Sequence, residues 1–146
     1  MLKGIDAIIS PELLGVLAAM GHGDEIVLAD ANFPADSVAR RTAHGRAIRM
    51  DCDLKRASQA VLSLMPVDGF EPGAVRSMQV VGEPDTVPEV IAEVQPLFAA
   101  EGAEIAAVER FAFYDLAGKA YAVVQTGERR FYGNLIIRKG VIPPEA

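Results

Sequence analysis

Two side chains suited to proton transfer bracket one short apolar run. In Gly21-His22-Gly23-Asp24-Glu25-Ile26-Val27-Leu28-Ala29-Asp30-Ala31-Asn32-Phe33-Pro34, an imidazole stands at one end and a carboxylate at the other. Histidine titrates nearest physiological pH of all unperturbed side chains, so His22 is equipped to accept and return a proton. The glycines on either side let its backbone approach a ligand closely. A plainer account also fits: His22 as a polar loop residue favoured by a helix C-terminus, and Asp30 as a turn or cap residue.

Two other segments concentrate polar chemistry. In Glu109-Arg110-Phe111-Ala112-Phe113-Tyr114, a guanidinium able to hold several oxygens precedes two aromatics and a phenol. From spacing alone Arg110 reads first as a strand-end cation paired with Glu109 or another acid, and Phe111 and Phe113 read as core. Thr126-Gly127-Glu128-Arg129-Arg130-Phe131-Tyr132-Gly133-Asn134 ends on a phenol and an amide around one glycine. If extended, Tyr132 and Asn134 share a face and can address one ligand together. The alternative is a hairpin-like connection in which Gly133 and Asn134 satisfy backbone demands.

Competing chemistries find less support. His22 and His44 are the two histidines, and Cys52 is the single cysteine, so an intramolecular disulfide or a thiolate metal cage is excluded. Cys52 reads as a small packing residue. There is no nucleophile elbow for a Ser-His-Asp or Cys-His mechanism. Arg40, Arg41, Arg46 and Arg49 cluster locally and read as a solvated face. The net charge of -6 argues against nucleic acid, whose backbone needs a basic field. The N-terminal apolar run is interrupted by Asp6, Pro11 and Glu12, and no stretch approaches the ~20 apolar residues of a membrane span. The expectation is a mature, soluble, cytoplasmic protein.

The elements that must position these residues follow from periodicity. With 146 residues and 51% hydrophobic content, the chain suits one domain with a sizeable core. Ser10-Pro11-Glu12 predicts a helix start and Gly21 its stop. Ile26 to Ala29 predicts a buried strand, with His22 in the loop entering it and Asp30 just past its carboxyl end. Further strands are expected at 46–50, 74–81, 105–108, 121–126 and 135–138. Helices are expected after Asp53, through Leu54, Ala57, Val61, Leu64 and Met65; over Val87 to Phe98, ending or kinking near Pro96; and over Phe111 to Lys119. The alternation predicts an α/β fold: a single-domain, three-layer sandwich with a largely parallel sheet flanked by helices. Residues 140–146 form a proline-bearing tail, expected to be loose or docked on a neighbouring subunit.

Taken together, His22 to Pro34, Arg110 to Tyr114 and Thr126 to Asn134 resemble the L-fucose mutarotase and D-ribose pyranase family over nearly the whole chain. Asn32-Phe33-Pro34, Arg110-Phe111-Ala112-Phe113-Tyr114 and Tyr132-Gly133-Asn134 are similar to the fucose branch. The resemblance implies a cofactor-free isomerase that interconverts the α and β anomers of a monosaccharide by ring opening and closure. His22 would carry the proton, and Asp30 would hold a sugar hydroxyl or orient the imidazole. Arg110, Tyr132, Gly133 and Asn134 would bind sugar, with the 132–134 loop open to being supplied by an adjacent subunit. Tyr114 and Asp68 are weaker candidates, Asp68 reading first as a turn acid. Implied too are a homo-oligomer, a decameric ring, and no metal. The other readings are D-ribose pyran-furan interconversion and a non-catalytic monosaccharide-binding module.

Overall fold

A computed structural model describes residues 1–145. A six-stranded sheet has the order β2-β5-β1-β6-β3-β4, with β1 Glu25–Ala29, β2 Ile48–Met50, β3 Val75–Met78, β4 Ile105–Val108, β5 Ala122–Thr126 and β6 Leu135–Arg138. Five strands run parallel. β6 alone runs against its neighbours, pairing Leu28 with Leu135 and Glu25 with Arg138 on one side and Val75 with Ile137 on the other.

Strand alternation divides the core into two layers. Ile26 and Leu28 of β1 pack with α1 (Pro11–Ala19), α3 (Leu54–Leu62) and α4 (Glu89–Ala100). Val27 and Ala29 face the other side, where α2 (Ala35–Ala39) and α5 (Arg110–Gly118) contribute Val38, Phe113 and Ala117. The central strands are buried on both faces, which explains their near-continuous apolar runs. The expected three-layer, largely parallel sandwich is therefore the observed one.

Local chemistry sets the element ends. Ser10 Oγ accepts from Leu13 N at 3.1 Å, and Asp53 Oδ1 accepts from Arg56 N at 2.8 Å, so both predicted caps form. α4 continues through Pro96 to Ala100 instead of stopping, because Pro96 lies on the solvent side, where water can satisfy the freed carbonyl. α3 closes at Leu62, short of Met65, and β2 and β3 are shorter than expected. The five-residue α2 lacks a side-chain cap and was not foreseen. Phe111, expected in the core, is 67% exposed, whereas Phe113 is fully buried.

Gly140 to Glu145 carries no helix or named strand, and Ala146 lies outside the described residues. Among the described residues, no helix is long and apolar enough to cross a membrane.

Candidate functional site

Most of the candidate binding residues meet at the carboxyl end of the parallel strands, where open α/β sheets commonly place ligands. Asp30 follows β1, Met78 ends β3, Val81 follows it, Arg110 opens the helix after β4, and Asn134 leads into β6. With Phe33, Tyr114 and Tyr132 they line an open cleft of about 260 Å³. That is smaller than the ~300–1,000 Å³ typical of drug-sized ligands and suits a small polar one.

Asp30 and Asn134 form the floor. Asp30 N donates to Asn134 Oδ1 at 2.8 Å, and Asn134 Nδ2 returns a bond to Asp30 Oδ2 at 3.2 Å. Asn32 N donates to Asp30 Oδ1 at 3.0 Å. Both side chains are buried, and burial pushes the Asp30 carboxyl above the ordinary carboxylate range, against these hydrogen bonds. Asn134 thus spends its amide on Asp30, which fixes the direction of the carboxylate oxygens. Each oxygen keeps acceptor capacity for a ligand hydroxyl.

Arg110 and Tyr114 form one wall. Arg110 Nε donates to Tyr114 Oη at 3.3 Å, and its guanidinium lies 5.5 Å from the Tyr114 ring centroid and 5.6 Å from that of Phe111. The predicted Glu109 pairing is absent: Glu109 instead caps α5, accepting from Phe111 N at 2.9 Å and Ala112 N at 3.0 Å. Among the described residues, no carboxylate lies within ion-pair distance of Arg110, leaving its donors for a ligand.

Tyr132 and Asn134 share the cleft for a different reason from the one the sequence suggested. The segment is not extended; Tyr132 is left-handed at φ 63°, and its hydroxyl accepts from Val81 N at 3.2 Å. Gly133 completes the turn. A Cβ there would sit 2.8 Å from Glu128 Cγ, closer than real contacts allow.

His22 is elsewhere. It precedes β1, at the opposite end of the strand from Asp30, and the length of β1 alone puts about 13 Å between the two. Asp30 therefore cannot orient this imidazole within one chain. Asp68 does: His22 Nε2 lies 3.2 Å from Asp68 Oδ1. Asp68 is buried; its carboxyl is held below the ordinary range by the Phe70 N–H, with His22 and the Arg138 guanidinium at 3.6 Å adding to the effect. An ionised carboxylate only accepts, so Nε2 carries the proton it donates, and Nδ1 is the free nitrogen. The imidazole is half-exposed and meets the Phe70 ring at 5.5 Å. Gly23, at φ 88°, supplies the left-handed turn that delivers it.

Asp68 looked like a loop acid because it lies among Pro66, Gly69, Pro72 and Gly73. Its burial comes from distant pairing, Val67 with Lys139 and Asp68 N to Arg138 O at 3.0 Å. The basic cluster is a solvated face: Arg40 pairs with Asp36, Arg49 with Asp51, and Arg46 joins His44 on Glu12. Among the described residues, no group of three or more His, Cys, Asp or Glu is placed to hold a metal ion.

The sandwich and its strand-end cleft define an α/β protein built to hold a small polar ligand. Residues 3–142 match the RbsD / FucU transport protein family, and the chain belongs to it. It is 46% identical to the fucose mutarotase of Danio rerio, over 99% of this chain and 97% of that protein. Among solved structures, protein Atu2016 shares 47% identity with a TM-score of 0.93, covering 98% of this chain and 97% of that one. The fucose mutarotase of Streptococcus pneumoniae, solved with L-fucose, shares 39% identity with a TM-score of 0.86, over 97% of this chain and all of that one (100%). Bacillus subtilis RbsD, solved with D-ribose, is similar in fold at 24% identity and a TM-score of 0.75, covering 98% of this chain and 100% of that one.

Proposed function

We propose that the protein is an L-fucose mutarotase, an isomerase that interconverts the α and β anomers through the open-chain aldehyde, and that residues 1–146 act as one sugar mutarotase domain. The cleft with a prearranged Asp30 and an Arg110 that has no ion-pair partner among the described residues carries the reading, supported by near-full-length similarity to fucose mutarotases. Ring opening removes the anomeric hydroxyl proton, delivers a proton to the ring oxygen and breaks the bond from that oxygen to the anomeric carbon. Rotation of the aldehyde and closure on its other face reverse these transfers. Asp30 accepts a sugar hydroxyl, Arg110 donates to sugar oxygens, and Tyr132 and the Gly133 backbone close the cleft around them. His22 supplies the proton transfer through its free Nδ1.

For His22 to reach a sugar bound at Asp30, the two must come from different copies. The separation along β1 supports a homo-oligomer in which one chain lends His22 to the cleft of another, within a decameric ring in the cytoplasm. The experiment follows anomeric exchange of L-fucose by NMR saturation transfer, with D-ribose in parallel. His22→Ala and Asp30→Ala should each be inactive alone and regain up to about a quarter of the sites when refolded together, since one chain supplies the imidazole and the other the carboxylate. No recovery in the mixed oligomer would show that each cleft uses a single chain.

A further inference from the structure

Behind the cleft lies an ion pair, Glu128 with Arg130, that lines none of it; the carboxylate is buried and the guanidinium is 36% exposed. Glu128 is 3% exposed, yet it is the meeting point of three segments. Its carboxylate accepts from Arg130 three times, from N and Nε at 2.9 Å and from Nη2 at 2.9 Å, and from Leu54 N at the start of α3 at 3.2 Å. Its backbone carbonyl accepts from Ala31 N at 2.8 Å, one residue beyond Asp30. Its Cγ faces Gly133 at the distance that leaves no room for a Cβ. Arg130 Nη2 continues to Glu93 on α4 at 2.7 Å.

We propose that Glu128, held by Arg130, is a positioning residue of the sugar cleft. It fixes the Asp30 turn against the Tyr132-Gly133-Asn134 loop and thereby sets sugar affinity without touching the sugar. The inference rests on the mutarotase reading above. Burying the Glu128 carboxylate is a costly way to gain stability, because a charge taken out of water must recover its desolvation cost from its partners. What it does supply is fixed direction. The two loops it joins carry Asp30 and Asn134, whose mutual hydrogen bonds demand close registration, and Tyr132, whose left-handed backbone would relax if the loop were free. Misplacing binding groups by about 1 Å is enough to lose much of their contribution. Gly133 belongs to the same device, since its missing Cβ is what lets Glu128 close on the loop.

The test measures KM and kcat for L-fucose anomer exchange, together with Tm, in the full-length protein. Glu128→Ala and Arg130→Ala should raise KM by about tenfold, as expected for displaced polar partners, with kcat changed by less than about threefold because His22 lies at the other end of β1. Glu128→Gln, which keeps an acceptor for Leu54 N, should fall between these and the unaltered chain. Phe98→Leu, a core change on α4 outside the cleft, should lower Tm and leave KM unmoved. Gly133→Ala should raise KM less in the Glu128→Ala background than alone, because the Cγ it meets is gone. KM within about twofold of the unaltered chain in folded Glu128→Ala and Arg130→Ala overturns the proposal, as does an equal rise in Phe98→Leu. If Glu128→Ala fails to fold, Arg130→Ala decides alone, since Glu128 then keeps its bond to Leu54. An unaltered chain that does not accelerate exchange overturns the mutarotase reading and this proposal with it; activity with an unmoved KM overturns this proposal only.

Discussion

The two ends of β1 are built to different specifications. At the carboxyl end, Asp30, Asn134 and Glu128 are each at most 4% exposed and engage one another or the backbone. At the amino end, the His22 side chain is 48% exposed over a single buried carboxylate. A binding surface gains from groups whose directions are set before the ligand arrives, so that little ordering remains to be done. A group proposed to carry a proton must instead reach a reacting atom, and the His22 imidazole is half-exposed. The difference is that one protomer presents a prearranged cleft at one end of β1 and a half-exposed imidazole at the other.

The sharpest way to separate the ends is to remove His22. His22→Ala should slow L-fucose anomer exchange by about 10² to 10⁴ while its Kd stays within about threefold, because acid–base help is lost and the hydroxyl ligands are not. NMR exchange beside calorimetric titration reads both quantities. A comparable loss of affinity would mean that the imidazole binds as much as it reacts.

A smaller effect is expected one step behind it. Asp68→Asn keeps the shape and removes the charge that fixes the tautomer, so exchange should fall by about tenfold or more at unchanged Kd. An unchanged rate would reduce Asp68 to the turn acid its surroundings suggested.

The smallest effect concerns the buried carboxylates of the cleft end. Arg130 holds Glu128 down to about 2, so it contributes stability that is fully present above the ordinary carboxylate range near 4.5 and is lost as pH falls from there toward 2. Glu128→Gln should therefore flatten the acid limb of a denaturant-midpoint against pH curve between those values, by no more than one proton, or ~1.4 kcal/mol per pH unit. Asp30 has the opposite sign. Its raised carboxyl favours the protonated folded form, so Asp30→Asn should not flatten that limb.

What the sequence disclosed depended on how local the cause was. Ser10, Asp53 and the apolar runs of β1, β5 and β6 act through neighbours along the chain, and the elements they predict are present. Asp30, Arg110, Tyr132 and Asn134 were legible as a group through family resemblance, and the fold brings them to one cleft. The turn that does so was not, because a left-handed Tyr132 has no signature in residue type; its hydroxyl is held by Val81 N, and Glu128 closes on the neighbouring Gly133. The burial of Asp68, named as a weaker candidate, and the role of Glu128 were hidden for the same reason, since both sit in polar loops and are buried by segments distant in sequence. The seven positions between His22 and Asp30 suggest proximity. In an extended strand they are distance.

β6 adds a consequence of its own. It is four residues long and paired on both sides, with Asn134 just before it at the cleft and Arg138 at its far end beside Asp68. It works as a strut of fixed length between the cleft around Asn134 and the Asp68 carboxylate beside His22. Side chains alternate along a strand, so a slip of one residue would turn every one of them to the wrong layer, and a slip of two would withdraw Asn134 and Arg138 together. Neither end can be retuned by sliding the strand. Change in this protein must come by substitution in the loops, which leaves the spacing between the cleft and the His22–Asp68 pair as the part of the design least free to vary.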